Sequence, residues 1–574
     1  MNYIDITVIG AYFAFILIAA LLFKRFATDS SQFIRGGGAM MWWMAGATAF
    51  MTQFSAWTFT GAAAKAYEDG FPVLLVFWGN ALGFFIAAAY FASRFRKLRV
   101  DTPMEVIQQR FGFASEQIYT WLQFPLTTLS AAIWLNGLAI FVAAVFQIEL
   151  STTIIAVGVI VTFIAVTGGS WAVSATNVMQ LILLMAITMV VGAAALWQAG
   201  GPVQLVQDFP ATSLAGNDIS YWQIFALWGV VMLTKQTIST NNAMTCYRFL
   251  VTRNEKEARK AAIFTAILFI FGPILWFVPP WVTATYGVDL ASIYPNLGDE
   301  ANNAAYLYFV DHFMPAGVLG LIMAAMIAAT VSPMTTALNR NAGIFVKNVY
   351  QQFSRQPVSD DKQLKVGKAA TLVNGLLAVA AALFFASLDN IGFFDLLMLL
   401  GAMLQIPLAI PALLGVVFTR TPDWSGWATL VVGLLVSATV HFGFSPEWFS
   451  PWVAPESLSQ RELIDLKVIT TVLGHVFITA GFFIATSLFY QSKPNQRQLV
   501  LSRFRMNMRR TISLKEQANI DGRQNAYLAR LVAGLAICCL PLSLFAANWQ
   551  EAAIFIAIAA LMGLASRALA VKNR

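Results

Sequence analysis

Charge is scarce in this chain. Asp, Glu, Lys and Arg make up 11% of its 574 residues, against about 25% in a soluble domain. Cysteine is scarcer: Cys246 stands alone, and Cys538 and Cys539 are adjacent. That excludes a disulfide framework and any thiolate metal spacing. The three histidines, His312, His441 and His475, fall in separate regions, so no nucleophile–base pair or embedded metal centre can be assembled and no enzyme is expected. A Gly-rich phosphate loop of the Walker type is missing, which disfavours ATP-driven chemistry. Strand alternation of the outer-membrane-barrel kind is missing too. No polar stretch exceeds about 40 residues, too short for a soluble module.

Apolar sequence fills the space. The chain is 58% hydrophobic, its mean hydropathy is +0.68, and about fifteen apolar spans run from one near Phe13 to one near Ile558. The expected fold class is therefore an all-α polytopic membrane protein. Positive charge follows alternate spans. Lys24, Arg25 and Arg35 come after the first, and Arg94, Arg96, Lys97 and Arg99 after the third. Arg248, Arg253, Lys256, Arg259 and Lys260 follow the seventh, Arg340 and Lys347 the ninth, and Arg420 the eleventh. The loop 492–529 carries Lys493, Arg497, Arg503, Arg505, Arg509, Arg510, Lys515 and Arg523 against Glu516 and Asp521. The positive-inside rule then places the N-terminus outside and the C-terminus inside. The net charge of +8 reads as topology and lipid-surface attraction, not as a nucleic-acid footprint. The first span is no cleaved signal: no base precedes Asp5, and the positive charges come after the span.

Three spans are polar where lipid-facing helices are greasy. The span 41–64 is interrupted by Gln53, Ser55, Thr58 and Thr60. The span 221–249 carries Lys235, Gln236, Thr237, Ser239, Thr240, Asn241 and Asn242 after an apolar run. The two lie five spans apart, as expected of inverted repeats whose broken helices frame a midplane site. Accidental polarity is the bland alternative. In 314–350, Ala328, Ala329, Thr330, Ser332, Pro333, Thr335 and Thr336 crowd together. Small residues allow close helix contact, and hydroxyls with proline-freed carbonyls offer oxygen ligands to a hard monovalent cation. A packed helix seam would look similar.

Four segments in order resemble the sodium:solute symporter family, which includes sodium/proline and sodium/galactose transporters. They are 42–61; 168–180 with Gly168, Gly169, Thr176, Asn177 and Gln180; 242–248 with Ala258 and Arg259 downstream; and 319–350 with Ala328, Ala329, Ser332, Leu338, Asn339 and Tyr350. The resemblance implies a leucine-transporter-type inverted repeat of 5+5 helices over 41–420. An extra helix and loop precede it in 1–40, and accessory helices with the basic loop follow in 421–574. It also implies a sodium ion between the first and eighth core helices. Met51, Phe54 and Ala329 would offer carbonyls and Ser332 its hydroxyl, with Thr336 and Asn177 as further oxygens. Two residues depart from the family pattern. Pro333 stands where a second hydroxyl is usual, although it frees the Ala329 carbonyl four residues earlier. Asn177 stands where an aspartate is common, and keeps a carbonyl oxygen without the charge.

For the solute the resemblance is less specific. Thr58 and Phe269 depart from the sugar-transporting branch, Asn242 matches it, and Gln53 replaces an acid of the proline branch. Gln53, Thr58, Lys235, Asn242 and Gln405 are the candidate solute-binding residues. A lysine in mid-span costs ~2.5–3.5 kcal/mol on insertion scales. Lys235 therefore meets a substrate carboxylate, pairs with Asp395, substitutes for a cation or snorkels to water. The solute stays open among sugar, sugar acid, amino acid and other organic anions. The expectation is a multi-pass protein of the cell (inner) membrane that moves a small polar solute with Na+ by alternating access. It needs no cofactor and no nucleic acid, and its oligomeric state stays open, a monomer being compatible with the fold. The rivals are a proton-coupled or sodium-independent carrier and a non-transporting solute receptor on the same fold. The loop 492–529 is either solvated or lies on the membrane surface, with Leu499, Val500, Phe504 and Met508 on an apolar side.

Overall fold

The computed structural model describes residues 3–24, 40–100, 102–167, 170–210, 214–354, 359–387, 393–491, 496–513, 516–517 and 523–571. Among them the structure is helical, and the only β contact is an isolated bridge between Met40 and Thr252. A bilayer demands this, because a helix satisfies its backbone groups within one segment. The turn bearing Gly168 and Gly169, and the basic residues Arg25, Arg35, Lys493 and Lys515, lie outside the described residues.

Helix α1 (Tyr3–Lys24) precedes two half-helices, α2 (Trp42–Met51) and α3 (Gly61–Asp69). Between them the chain loses helical form at 52–55 and tightens into a 3-10 turn, Ala56–Phe59. Next come α4 (Val73–Ile86), which runs on through a π turn to Lys97, α5 (Pro103–Phe146), α6 (Leu150–Thr167) and α7 (Ser170–Gln198). The second broken helix is α8 (Trp222–Asn241), stopped by an extended Asn242 and resumed as the single turn α9 (Tyr247–Leu250). Then follow α10 (Glu255–Trp276), α11 (Val318–Ile344), α12 (Asp360–Ala386), and the pair α13 (Phe393–Leu400) and α14 (Ile406–Val417) joined by a π turn. The remaining long helices are α15 (Ser425–Gly443), α16 (Gln460–Gly474), α17 (Gln496–Arg509), α18 (Arg523–Cys539) and α19 (Trp549–Val571).

Eleven helices among the described residues are long and apolar enough to cross a membrane. Burial sorts them. The most apolar window of 318–353 is 89% buried, that of 361–386 only 28%, so α11 is central and α12 peripheral. Outward-facing Phe163, Phe384, Leu435 and Phe477 form an apolar surface suited to lipid. Helix α11 packs on α5, α7 and α1, α2 packs on α7 and α10, and α8 packs on α4, α14 and α16. The α1 contact is specific. Asp5 accepts from the backbone N–H of Gly317 at 2.8 Å and of Gly320 at 2.9 Å, a carboxylate at a helix N-terminus. A Cβ at Gly320 would come within 2.6 Å of Asp5 backbone, so only glycine permits that approach. The expected apolar side of α17 is rotated. Leu501 and Phe504 are buried against the protein while Leu499 is 70% exposed, because Arg497 pins the start of the helix to Asp423 at 2.7 Å.

Candidate functional site

The two helix breaks face each other across one cavity of about 340 Å³, lined from α2, α4, α5, α8, α11, α13 and α14. Its size suits a small-molecule site. The ends of the two broken helices away from the breaks are tied together: Met40 N–H donates to Val251 O at 3.0 Å and Arg253 N–H to Met40 O at 3.2 Å. At the other break, Asn242 holds its own extended backbone. Its side-chain oxygen accepts from Met244 N–H at 2.9 Å, and its amide nitrogen donates to Ser239 O at 2.8 Å. An asparagine here acts as the cap of the turn that follows.

Gln53, Lys235, Asn242 and Gln405 all line the cavity, as does Thr336. Thr58 does not. In the turn 56–59 it is Trp57 that reaches the wall, and Thr58 is buried with its hydroxyl unpartnered. Lys235 is 3% exposed and donates to the Met398 carbonyl at 3.0 Å and approaches its sulfur at 3.4 Å. It forms no ion pair with Asp395, which lies one turn earlier on α13 and within electrostatic reach of Lys65 and Arg461.

The candidate sodium ligands sit beside this cavity. Ser332 donates to the side-chain oxygen of Asn177, joining α11 to α7. The break after α2 is tied to the same stretch of α11, since Ala56 N–H donates to Thr330 Oγ1 at 2.9 Å, one residue from Ala329. Pro333 lies inside α11 and offers no N–H to the Ala329 carbonyl. Met51 and Phe54 flank the break and are buried. The Phe54 ring packs edge-on to Trp276 at 4.7 Å, so packing occupies its side chain and only its backbone can serve a ligand. The Met51 carbonyl accepts just a long 3.4 Å contact from Phe54 N–H. The donor set is neutral oxygen, which fits a monovalent cation stripped of water. Among the described residues no group of three or more His, Cys, Asp and Glu gathers to hold a multivalent metal.

Two arginines read above as topogenic also line the cavity: Arg248 and Arg340. With the Gln53 amide turned to satisfy its neighbours, its oxygen accepts from both Arg248 terminal nitrogens and its nitrogen donates to Asn80 at 3.3 Å. The Arg248 guanidinium also lies 5.2 Å over the Phe84 ring, a cation–π contact. On the other side of the wall, Trp57 stacks between Phe77 and Phe394, with ring centroids 6.3 Å and 5.6 Å away. Beyond that stack Lys65 approaches Phe394 at 6.0 Å and Asp69 at 2.8 Å. Asp69 also meets Arg461 of α16 at 3.1 Å.

Residues 33–433 match the sodium:solute symporter family. The chain belongs to that family. It is a sodium-coupled secondary transporter and an integral membrane protein, with Na+ as its coupling ion. Among its relatives, the sodium/glucose cotransporter of Vibrio parahaemolyticus is 26% identical over 67% of this chain and 75% of its own length. The sodium/sialic acid symporter SiaT of Proteus mirabilis is 23% identical over 78% and 91%. The fold is that of a Na+-coupled sialic acid symporter solved in a substrate-bound outward-open state. That similarity has a TM-score of 0.66 at 21% identity, covering 85% of this chain and 98% of the other.

Proposed function

We propose that this symporter binds its solute in the cavity between the two helix breaks and its sodium ion beside it, at the junction of α2, α7 and α11. The observation that carries the reading is the pair of breaks, at 52–55 and at Asn242, opening on one cavity that polar side chains share with apolar ones. Unwound backbone at membrane depth is tolerated where it lines such a space. Sodium is held by the carbonyls of Met51, Phe54 and Ala329 and by Ser332, with Asn177 and Thr336 as auxiliary oxygens. The solute meets Gln53, Lys235, Asn242 and Gln405.

The same reading counts about fifteen spans, adding the broken helices and the shorter apolar ones to those that pass by length. The N-terminus is outside, a 5+5 inverted-repeat core covers 41–420, and the accessory segments are 1–40 and 421–574. The location is the inner cell membrane. The end of the cavity near Met40 and Val251 is then cytoplasmic. The Trp57 stack and the Lys65–Asp69–Arg461 cluster close the outside, as alternating access requires of an inward-facing state. One sodium entering down ~100 mV supplies ~2.3 kcal/mol, and a tenfold gradient adds ~1.4, enough to accumulate a neutral solute ~500-fold.

Uptake of a labelled solute panel into proteoliposomes, with sodium or choline outside, tests this reading. Ser332→Ala is expected to raise the sodium concentration for half-maximal uptake several-fold, since one neutral hydrogen-bonding ligand contributes about 1 kcal/mol. Sodium dependence unchanged in that variant would place the ion elsewhere.

A further inference from the structure

Three cations line the cavity, Lys235, Arg248 and Arg340, and no Asp or Glu is among the described residues that line it. Among the described residues no Asp or Glu acts electrostatically on any of the three; Arg248 has only the Cys246 thiol and Arg340 only the Tyr247 phenol, while the two arginines are close enough to repel each other. Their neighbours compensate them incompletely. Arg248 has an amide oxygen and an aromatic face. Lys235 has one carbonyl and one thioether for three ammonium protons. The buried Nε of Arg340 has no partner at all. Ionisable groups at membrane depth are expensive and persist where a pathway or ligand uses them. Unpaired buried charge of one sign is the more costly arrangement.

We propose, resting on the assignment of this cavity as the solute site, that the transported solute is a hydroxylated organic anion carrying at least one carboxylate, and not a neutral sugar. The carboxylate meets the Lys235 ammonium in the interior. Arg340 and Arg248 form a positive wall toward the Met40 end, so an anion leaving the site stays in favourable potential along that route. A guanidinium matches a carboxylate with two parallel N–H donors, and the ammonium acts as a point charge. The hydroxyl requirement comes from the wall: Thr48, Thr240 and Thr336 line the cavity with buried side-chain oxygens that have no partner in the protein. A polyol chain or ring satisfies them, whereas a bare fatty acid leaves them unmet.

The test compares matched pairs on purified full-length protein: glucuronate with glucose, galacturonate with galactose, and glucose 6-phosphate as a non-carboxylate anion. Each is titrated by thermal shift in sodium and in choline, and labelled pairs follow into proteoliposomes under a sodium gradient. The acids are expected to stabilise the protein in sodium and their neutral parents to do so far less. Lys235→Met should weaken the acid about 30-fold or more, the usual cost of removing one partner of a buried charged hydrogen bond, and Lys235→Arg should recover part of it. Arg340→Gln should weaken it as well. Retained stabilisation by sodium alone certifies that each variant is folded. Neutral parents that bind as well as the acids, a phosphate that binds where the carboxylates do not, or acids that give no shift each overturn the anion assignment. Loss of any sodium effect on the wild-type protein instead overturns the sodium-linked reading of the site.

Discussion

Buried charge is handled in opposite ways on the two sides of Trp57. On the α3 side charges are chained into ion pairs: Lys65 meets Asp69 at 2.8 Å, Asp69 meets Arg461 at 3.1 Å, and Arg461 reaches Asp465 at 3.9 Å. The Arg461 guanidinium also donates to the carbonyls of Asn217 at 2.7 Å and Ala215 at 2.9 Å. On the cavity side three cations stand without a carboxylate among the described residues. Pairing satisfies charge internally and fixes the elements that bear it; leaving charge unpaired reserves it for something that arrives. The paired cluster also crosses a boundary, because α16 lies beyond the proposed core. Helix α16 thereby holds α3, the second half of a broken helix, through Arg461 and Asp69.

The largest effect is expected where pairing is broken. Asp69→Asn or Arg461→Met removes one partner of a buried network and leaves the other charge stranded, typically ~3–5 kcal/mol. The thermal midpoint and the folded yield should both fall well below wild type. Wild-type stability in both variants would mean that water already solvates the cluster, and the contrast between the two sides would dissolve.

Next comes Pro333, on the cavity wall. Pro333→Ala restores an N–H that can bond the Ala329 carbonyl. Interior proline costs a helix ~3 kcal/mol before tertiary compensation, so a stabilisation of about 1 kcal/mol is expected. Sodium should bind several-fold more weakly, since the carbonyl is now shared. A variant that is stabilised and binds sodium unchanged would remove Ala329 from the ligand set.

Part of the cavity lining is legible in the sequence because polar residues in an apolar run have few innocent explanations. Gln53, Lys235, Asn242 and Gln405 stood out on that ground and do reach the cavity. Arg248 and Arg340 also stood out but were read as loop charge, since the positive-inside rule counts arginines near a span end and is blind to which way they face. Thr58 lies off the cavity wall for a local reason: past a helix break the helical phase is lost, and Trp57 takes the wall. The breaks also obscure the spans they mark, because neither half of 42–69 reaches spanning length alone. Asp69 and Arg461 carry no local signal, since their pairing joins distant segments of chain.

A third treatment of charge appears outside the membrane, and it predicts a smaller, pH-dependent effect. Glu300, in the turn Pro295–Ala304, is pushed up from 4.5 to about 7 mainly by burial, with Glu68 and Asp299 adding to the rise and a hydrogen bond from Asn303 opposing it. Below about pH 4.5 both folded and unfolded chains hold the proton and the group is neutral to stability. As pH rises to about 7 the unfolded chain ionises first, so stability falls across that window and levels off above it. Partial exposure limits the amplitude to the order of 1 kcal/mol. Glu300→Gln should flatten the thermal midpoint between pH 5 and 7; an unchanged slope assigns it to other groups.

The smallest change in stability is expected where the unpaired cation is removed. Arg340→Gln strands no carboxylate, because among the described residues no Asp or Glu acts on it and its one acidic neighbour is the Tyr247 phenol, and it relieves repulsion with Arg248. It also keeps a polar side chain of similar reach at the cavity wall. Removing an unpaired buried charge strands nothing, so the folded protein should stay within about 0.5 kcal/mol of wild type or rise slightly above it. Yet the same variant should bind the carboxylate probes more weakly. That dissociation of stability from affinity separates a charge held for a ligand from one held for the fold, and Asp69→Asn should show the reverse ordering. An Arg340→Gln protein that unfolds as readily as Asp69→Asn would make both sides of Trp57 structural.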